Sequence, residues 1–167
     1  MKKVESLVLH NDRSQSVPDS ELLNWRLRYP DSASDIFGPV IAYTWRVEGA
    51  ECRIDDLLNR FDLQLLPDAS GFICFESDWK PDNCLLLDVF GKERVRLTVP
   101  WQLTRAMNPE SAKPPTSFAR VSAPFVNPSD GKAGEFGVIA WVELAGHYYF
   151  ELDYRNGQFL WGREIRD

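Results

Sequence analysis

The last thirty residues constrain the fold more than any other stretch. In "HYYFELDYRNGQFLWGRE" an Asn156-Gly157 pair separates two runs in which aromatic and polar residues alternate. Asn-Gly is the preferred dipeptide of a two-residue type I′ turn, because both central positions need positive φ. Such a turn pairs Tyr154 with Phe159 and Leu152 with Trp161. Upstream, a turn at Ala145-Gly146 pairs Trp141 with Phe150 and Ile139 with Leu152. Both registers place Ile139, Trp141, Tyr148, Phe150, Leu152, Tyr154, Phe159 and Trp161 on one sheet face. The pattern predicts a three-stranded antiparallel meander over residues 137–165 with that face in the core. The opposite face mixes Val138, Ala140, Val142 and Leu144 with His147, Tyr149, Glu151, Asp153, Gln158 and Leu160, so part of it meets water or a partner.

The rest of the chain divides between strands and two expected helices. Residues 5–9 read as a short strand. "DSELLNWRLRYP" reads as a helix capped by Asp19 or Ser20, with Leu22, Leu23, Trp25 and Leu27 on one side and Pro30 as its stop. "VIAYTWRVE" alternates cleanly, Ile41, Tyr43, Trp45 and Val47 against Ala42, Thr44, Arg46 and Glu48, as a half-buried strand does. A second helix is expected over residues 53–61, where Ile54, Leu57, Leu58 and Phe61 follow i, i+3, i+4, i+7 spacing. Asp55 and Asp56 then sit in its first turn, where carboxylates suit the helix dipole. "GFICF" and "CLLLDVF" are apolar on both faces and read as central strands. "RVRLTVP" alternates, and a three-residue "GKE" loop before it pairs Val89 with Val95, Leu87 with Leu97 and Asp88 with Arg96. Residues 101–117 and 127–137 read as long loops, with "FARVSAPFV" between them as a strand that Pro124 confines to an edge or a bulge. These elements predict one domain over residues 1–167. Its expected class is α+β: a largely antiparallel sheet of about seven strands with two short helices packed on it. A β-sandwich or open barrel with peripheral helices is the runner-up.

Catalytic signatures are scarce. His10 and His147 are the two histidines, and neither accompanies a nucleophile motif. The P-loop, the dinucleotide fingerprint, H-E-x-x-H and the EF-hand pattern are absent from the sequence. His147, Glu151 and Asp153 share a strand face, but His147 and Asp153 would lie roughly 20 Å apart at about 3.3 Å per residue. They are expected to be solvated or partner-facing. Cys52, Cys74 and Cys84 are odd in number and lack C-x-x-C spacing, which predicts reduced thiols in a cytoplasmic protein. After Lys2 and Lys3 the apolar run is "LVL", short of the roughly 7–15 residues of a secretory signal. No apolar run approaches the roughly 20 residues that span a bilayer. The sequence thus predicts no enzyme activity, no cofactor, no metal site and no membrane contact.

Charge carries the functional expectation. The chain has a net charge of −6, and residues 51–90 alone hold nine acids against Arg53, Arg60 and Lys80. Such a surface disfavours direct nucleic-acid binding, which needs clustered Lys and Arg, and attracts a basic protein. Within the acidic segment lies "SDWKPDN", residues 77–83, a polar loop with an indole at its centre. Trp79 has two readings. Folded back over the strand ends, it is an ordinary lid; held out among Asp78, Asp82 and the other acids, it is an anchor for a basic partner. The candidate partner-binding set is therefore Trp79, Asp78, Asp82, Asp55, Asp56, Asp62 and Asp68. Small, acidic, aromatic-rich and free of catalytic motifs, the chain resembles toxin-neutralising immunity proteins in composition. That resemblance implies an inhibitor that occludes its partner's active surface. The alternatives are a small-molecule-binding module with an aromatic pocket built from Trp45, Trp141, Phe150 and Trp161, or a subunit of a larger assembly.

Overall fold

The computed structural model describes residues 1–21 and 37–166. Among them the protein is mostly β, in three separate four-stranded antiparallel sheets. The first comprises β1 (Glu5–Asn11), β2 (Ser16–Pro18), β3 (Val40–Val47) and β4 (Ala50–Asp55), in the order β2-β1-β3-β4. The second is a meander of β5 (Phe61–Leu65), β6 (Phe72–Glu76), β7 (Cys84–Leu87) and β8 (Glu93–Leu97), in sequence order. The third comprises β9 (Ser117–Ser122), β10 (Gly137–Val142), β11 (Gly146–Asp153) and β12 (Gln158–Glu164), in the order β12-β11-β10-β9. The chain divides into two compact units, Met1–Cys74 with Leu87–Lys92 and Phe75–Leu86 with Glu93–Asp167.

This overturns the expected α+β class, with its single seven-stranded sheet and two packed helices. Residues 19–21 are helical, but the rest of the first expected helix lies outside the described residues. The second, over residues 53–61, is instead the end of β4, a turn and the start of β5. Its apolar spacing is real, yet Leu57 and Leu58 are 74% and 70% exposed. Two local features break the helix. Glu48 and Gly49 both take positive φ and close a two-residue hairpin that pairs Val47 with Ala50, committing residues 50–55 to the sheet edge. Asp56 is buried, and its carboxylate accepts from the backbone N–H of Arg60 (2.7 Å) and Phe61 (3.1 Å). An aspartate that satisfies amides four and five residues ahead stabilises a turn in competition with the helix.

In the first unit, β3 places Tyr43, Trp45 and Val47 in the core as its alternation predicts, and Ala42 is buried too. Trp45 meets Phe72 edge-on at 4.8 Å, and its indole N–H donates to the Val89 carbonyl at 2.7 Å. β6 and β7 occupy the inner positions of their sheet and are buried on both faces, as their unbroken apolar runs require. The turn after β7 differs from the expected "GKE" loop. It is Val89-Phe90-Gly91, with Gly91 N donating to Asp88 O (3.1 Å), Asp88 N to Lys92 O (2.9 Å) and Gly91 at φ +78°. The glycine thus comes last, in the left-handed position of a bulged three-residue turn. Asp88 therefore caps its own turn, accepting from Phe90 N and Lys92 N, and does not face Arg96.

The terminal sheet of the second unit keeps its expected strands but not their register. β10 and β11 pair Trp141 with His147 and Val138 with Phe150, around a loop of Glu143, Leu144 and Ala145. That is three residues away from the expected pairing, and an odd shift exchanges the faces. β11 and β12 pair Leu152 with Phe159 and Glu151 with Trp161. Their connection is residues 154–157, with Gly157 N on Asp153 O and Gly157 alone at positive φ. Tyr154 leaves the strand to pack edge-on against Phe136 at 5.2 Å, so the two-residue Asn-Gly turn does not form. The eight residues expected on one face are consequently divided. Tyr148, Phe150, Leu152 and Phe159 share a face with Val138, Ala140 and Val142, while Ile139, Trp141 and Trp161 lie on the other with Tyr149 and Glu151. β9 forms the sheet edge, as expected, but ends at Ser122, short of the expected run through Pro124 to Val126.

Two substitutions test this packing. A side chain at Gly71 would place its Cβ 2.0 Å from the Leu87 carbonyl oxygen. Gly71→Ala should therefore destabilise the protein by about 3 kcal/mol or more in denaturant titration. His10 bonds to Ser16 Oγ and Thr44 Oγ1, both at 2.8 Å, and burial followed by repulsion from Arg53 lowers its pKa from the ordinary 6.5. The unfolded ring takes up its proton first as pH falls through that value. The melting temperature should thus fall below pH 6.5 and level off once the folded ring is also charged, a dependence that His10→Gln should flatten.

Candidate functional site

The loop between β6 and β7 is built as a rigid mount. Asn83 is buried at its end, and its side-chain amide donates to the carbonyls of Glu76 (3.0 Å) and Phe118 (2.9 Å). The same side chain accepts from Phe118 N at 2.8 Å, and Glu76 N donates to Asn83 O at 2.7 Å. At mid-loop, Val99 N donates to the Pro81 carbonyl at 2.9 Å. Arg96 braces the other side, donating to Glu76 Oε1 at 2.6 Å, to the Asp82 carbonyl at 2.9 Å and to Glu93 Oε1 at 3.1 Å. The hydrogen bond to Glu76 raises the pKa of the Arg96 guanidinium, which stays charged.

On this mount Trp79 is 77% exposed. The ring does not fold back over the strand ends. Asp78 beside it is exposed, and Lys80 lies 3.7 Å from Glu76 and 3.8 Å from Asp78. Asp82 is half-buried, with its carbonyl held by Arg96. The arrangement is a fixed loop presenting an indole with carboxylates on both sides.

The remaining candidate acids belong to the other unit. Asp55 is exposed on β4 and paired with Arg53 at 2.8 Å. Asp62 is exposed on β5 and accepts from Gln64 at 2.7 Å. Asp68 is half-buried and accepts from Ser70 N at 3.0 Å. Asp56 is buried and spends both carboxylate oxygens on its turn.

Glu151 holds a place that strand periodicity did not disclose. It is 5% exposed; Oε1 accepts from the Tyr149 hydroxyl, and Oε2 accepts from Glu135 N (2.7 Å) and Phe136 N (3.3 Å). Burial, then the bond to Glu151, raises the Tyr149 pKa, so the phenol remains the donor. Residues 125–134 fold over this face of β11 through the Val126–Ala133 bridge, and Phe125 stacks on Tyr149 at 4.6 Å. Gly134 and Gly137 leave room for the Glu151 carboxylate and the Tyr149 ring. A cleft of about 310 Å³ beside them is lined by Lys132, Phe136, Glu151, Arg155 and Trp161 among others. Glu151 is therefore a structural lock, contrary to the solvated role expected for it, whereas His147 is exposed against Trp141 at 5.0 Å. The four residues of the expected aromatic pocket do not converge. Trp45 is core in the first unit, Phe150 and Trp161 lie on opposite faces of the terminal sheet, and Trp141 is 39% exposed. Among the described residues, no three His, Cys, Asp or Glu side chains are grouped to hold a metal ion, and no helix is long and apolar enough to cross a membrane.

The protein thus defines a mostly-β class with a braced aromatic loop. No protein-family model matches the sequence, and no curated protein matches it either. In structure it is similar to a chain of the solved complex of Tne2 with Tni2, with a TM-score of 0.66, 11% sequence identity, and 98% of this chain and 99% of that chain covered. At that identity the likeness shows the fold, and it is a fold found in a complex between two proteins.

The mount and the indole are separable. Asn83→Ala leaves buried backbone groups of Glu76 and Phe118 unpaired and should cost about 3 kcal/mol, with faster amide exchange through residues 77–83. Trp79→Ala should change stability by less than about 0.5 kcal/mol, because the ring buries little.

Proposed function

We propose that this protein binds a basic protein partner and neutralises it by covering its active surface, in the manner of an immunity protein and without catalysis of its own. The observation that carries the reading is Trp79, 77% exposed on a loop whose shape is fixed by Asn83 and Arg96. Fixed aromatic side chains make strong anchors because little conformational freedom is lost on binding. Asp78 and Asp82 on that loop, with Asp55, Asp62 and Asp68 elsewhere, steer a cationic partner and suppress anionic ones. Asp56 contributes charge but not contact, since its carboxylate is buried. Reduced thiols at Cys52, Cys74 and Cys84 suit action in the cytoplasm. The structural likeness to a chain of a two-protein complex supports a binding role and leaves the partner's charge to experiment.

The cleft beside Glu151 supports a small-molecule reading less well, because both oxygens of its buried carboxylate are already bonded. Affinity capture from the source cell, followed by titration of the captured protein, tests the proposal. A basic partner is expected whose affinity falls with salt and falls at least about 30-fold in Trp79→Ala. Binding insensitive to both would overturn the assignment of this surface.

A further inference from the structure

β4 is the unprotected edge of the first sheet. It pairs with β3 alone, in a register unbroken from Val47–Ala50 to Ala42–Asp55. The opposite edge, β2, is three residues long and ends on Pro18, which has no N–H to offer. In an antiparallel ladder, hydrogen-bonded and non-hydrogen-bonded pairs alternate. The two-residue turn at Glu48-Gly49 makes Val47–Ala50 a hydrogen-bonded pair, and Asp56 N on Ile41 O continues the same count. Ala50, Cys52 and Ile54 therefore spend their N–H and C=O groups on β3. Those of Glu51, Arg53 and Asp55 point out of the sheet edge, and among the described residues nothing pairs with them. The side chains of these three are exposed, whereas Cys52 and Ile54 are half-buried on the other face.

We propose that the free edge of β4 pairs with β4 of a second copy of this chain, antiparallel about a two-fold axis at Cys52. Outward groups must meet outward groups, so Glu51, Arg53 and Asp55 of one copy oppose those of the other. Their charges alternate in sign, and the alternation selects a register rather than barring a copy. An axis at Glu51 or Arg53 sets that residue against itself, which repels. An axis at Ile54 matches Arg53 with Asp55 but aligns only residues 53–55, because β4 ends there. The axis at Cys52 aligns residues 50–54 and sets Glu51 against Arg53 twice by symmetry. Arg53 holds Asp55 through Nε at 2.8 Å, which leaves its terminal nitrogens for Glu51 of the second copy. Glu51 lies opposite Arg46 on β3 but forms no ion pair among the described residues. On the other face Ile54 meets Ala50 of the second copy, and Cys52 meets Cys52. The pairing depends neither on Trp79 nor on a basic partner.

Oxidation of the full chain with diamide reads this register directly. Opposed residues of a non-hydrogen-bonded pair have Cα atoms about 4.5 Å apart, within the roughly 4.4–6.8 Å that a disulfide spans. Cys74 and Cys84 are buried, so Cys52 is the accessible thiol. The expected product is a dimer joined Cys52 to Cys52, with diamide taking up the two electrons and two protons; Cys52→Ser should give none. Glu51→Lys and Arg53→Glu each set like charges together at both symmetric contacts, and each should lower the yield several-fold. Mixed, the two variants set opposite charges together again, and a linked heterodimer should return near the parent yield. Without oxidant, amide exchange at Glu51 and Arg53 of the parent chain should slow several-fold as its concentration rises. Exchange that ignores concentration overturns the inference, as does the absence of a linked dimer at roughly 1 mM chain, where even weak pairs assemble. A yield that neither charge reversal lowers, or that mixing two variants of parent melting temperature does not restore, overturns it as well. None of these outcomes bears on the Trp79 surface.

Discussion

A strand sends alternate side chains to opposite faces, so each turn decides which residues the protein buries. Most of this fold depends on that constraint. The loop of Glu143, Leu144 and Ala145 sets the β10–β11 register and so puts Val138, Ala140 and Phe150, each 0% exposed, into the core. The same register turns Tyr149 and Glu151 to the other face, where residues 125–134 cover them. Asp88 and Gly91 fix the β7–β8 turn in the same way. They bring the Val89 carbonyl to the indole of Trp45, which thereby satisfies the polar edge of a buried tryptophan.

Side-chain carboxylates and amides act as the fasteners of these turns. Asp56, Asn83, Asp88 and Glu151 each bind two or more backbone groups, and all four are buried or half-buried. Their acidity or polarity reads in the sequence as solvated surface. Buried backbone groups must find partners, and in a chain of short strands and many turns these side chains supply them. Part of the acidic middle segment is therefore internal scaffolding. Other acids of the segment, Asp55, Asp62 and Asp78 among them, stay exposed.

Exposed apolar residues sit at fixed positions on this scaffold. Trp79 and the Leu57-Leu58 pair sit at the tips of turns whose geometry is held by other residues. The likeness at 11% identity shows that the same fold forms from a very different sequence.

The sequence by itself determined where most strands run. Clean alternation placed β3, unbroken apolar runs placed the inner strands β6 and β7, and Pro124 marked β9 as an edge strand, because these signals lie within a few residues. It also located the acidic segment and the loop bearing Trp79. Tertiary structure decided the registers, since Tyr154 leaves its strand to meet Phe136, eighteen residues away. It replaced the helix over residues 53–61 with a turn, because Asp56 found backbone amides to bind and β4 found a sheet edge. It also decided that Trp79 faces solvent. The amide of Asn83 reaches Phe118, 35 residues away, and no local pattern encodes that contact.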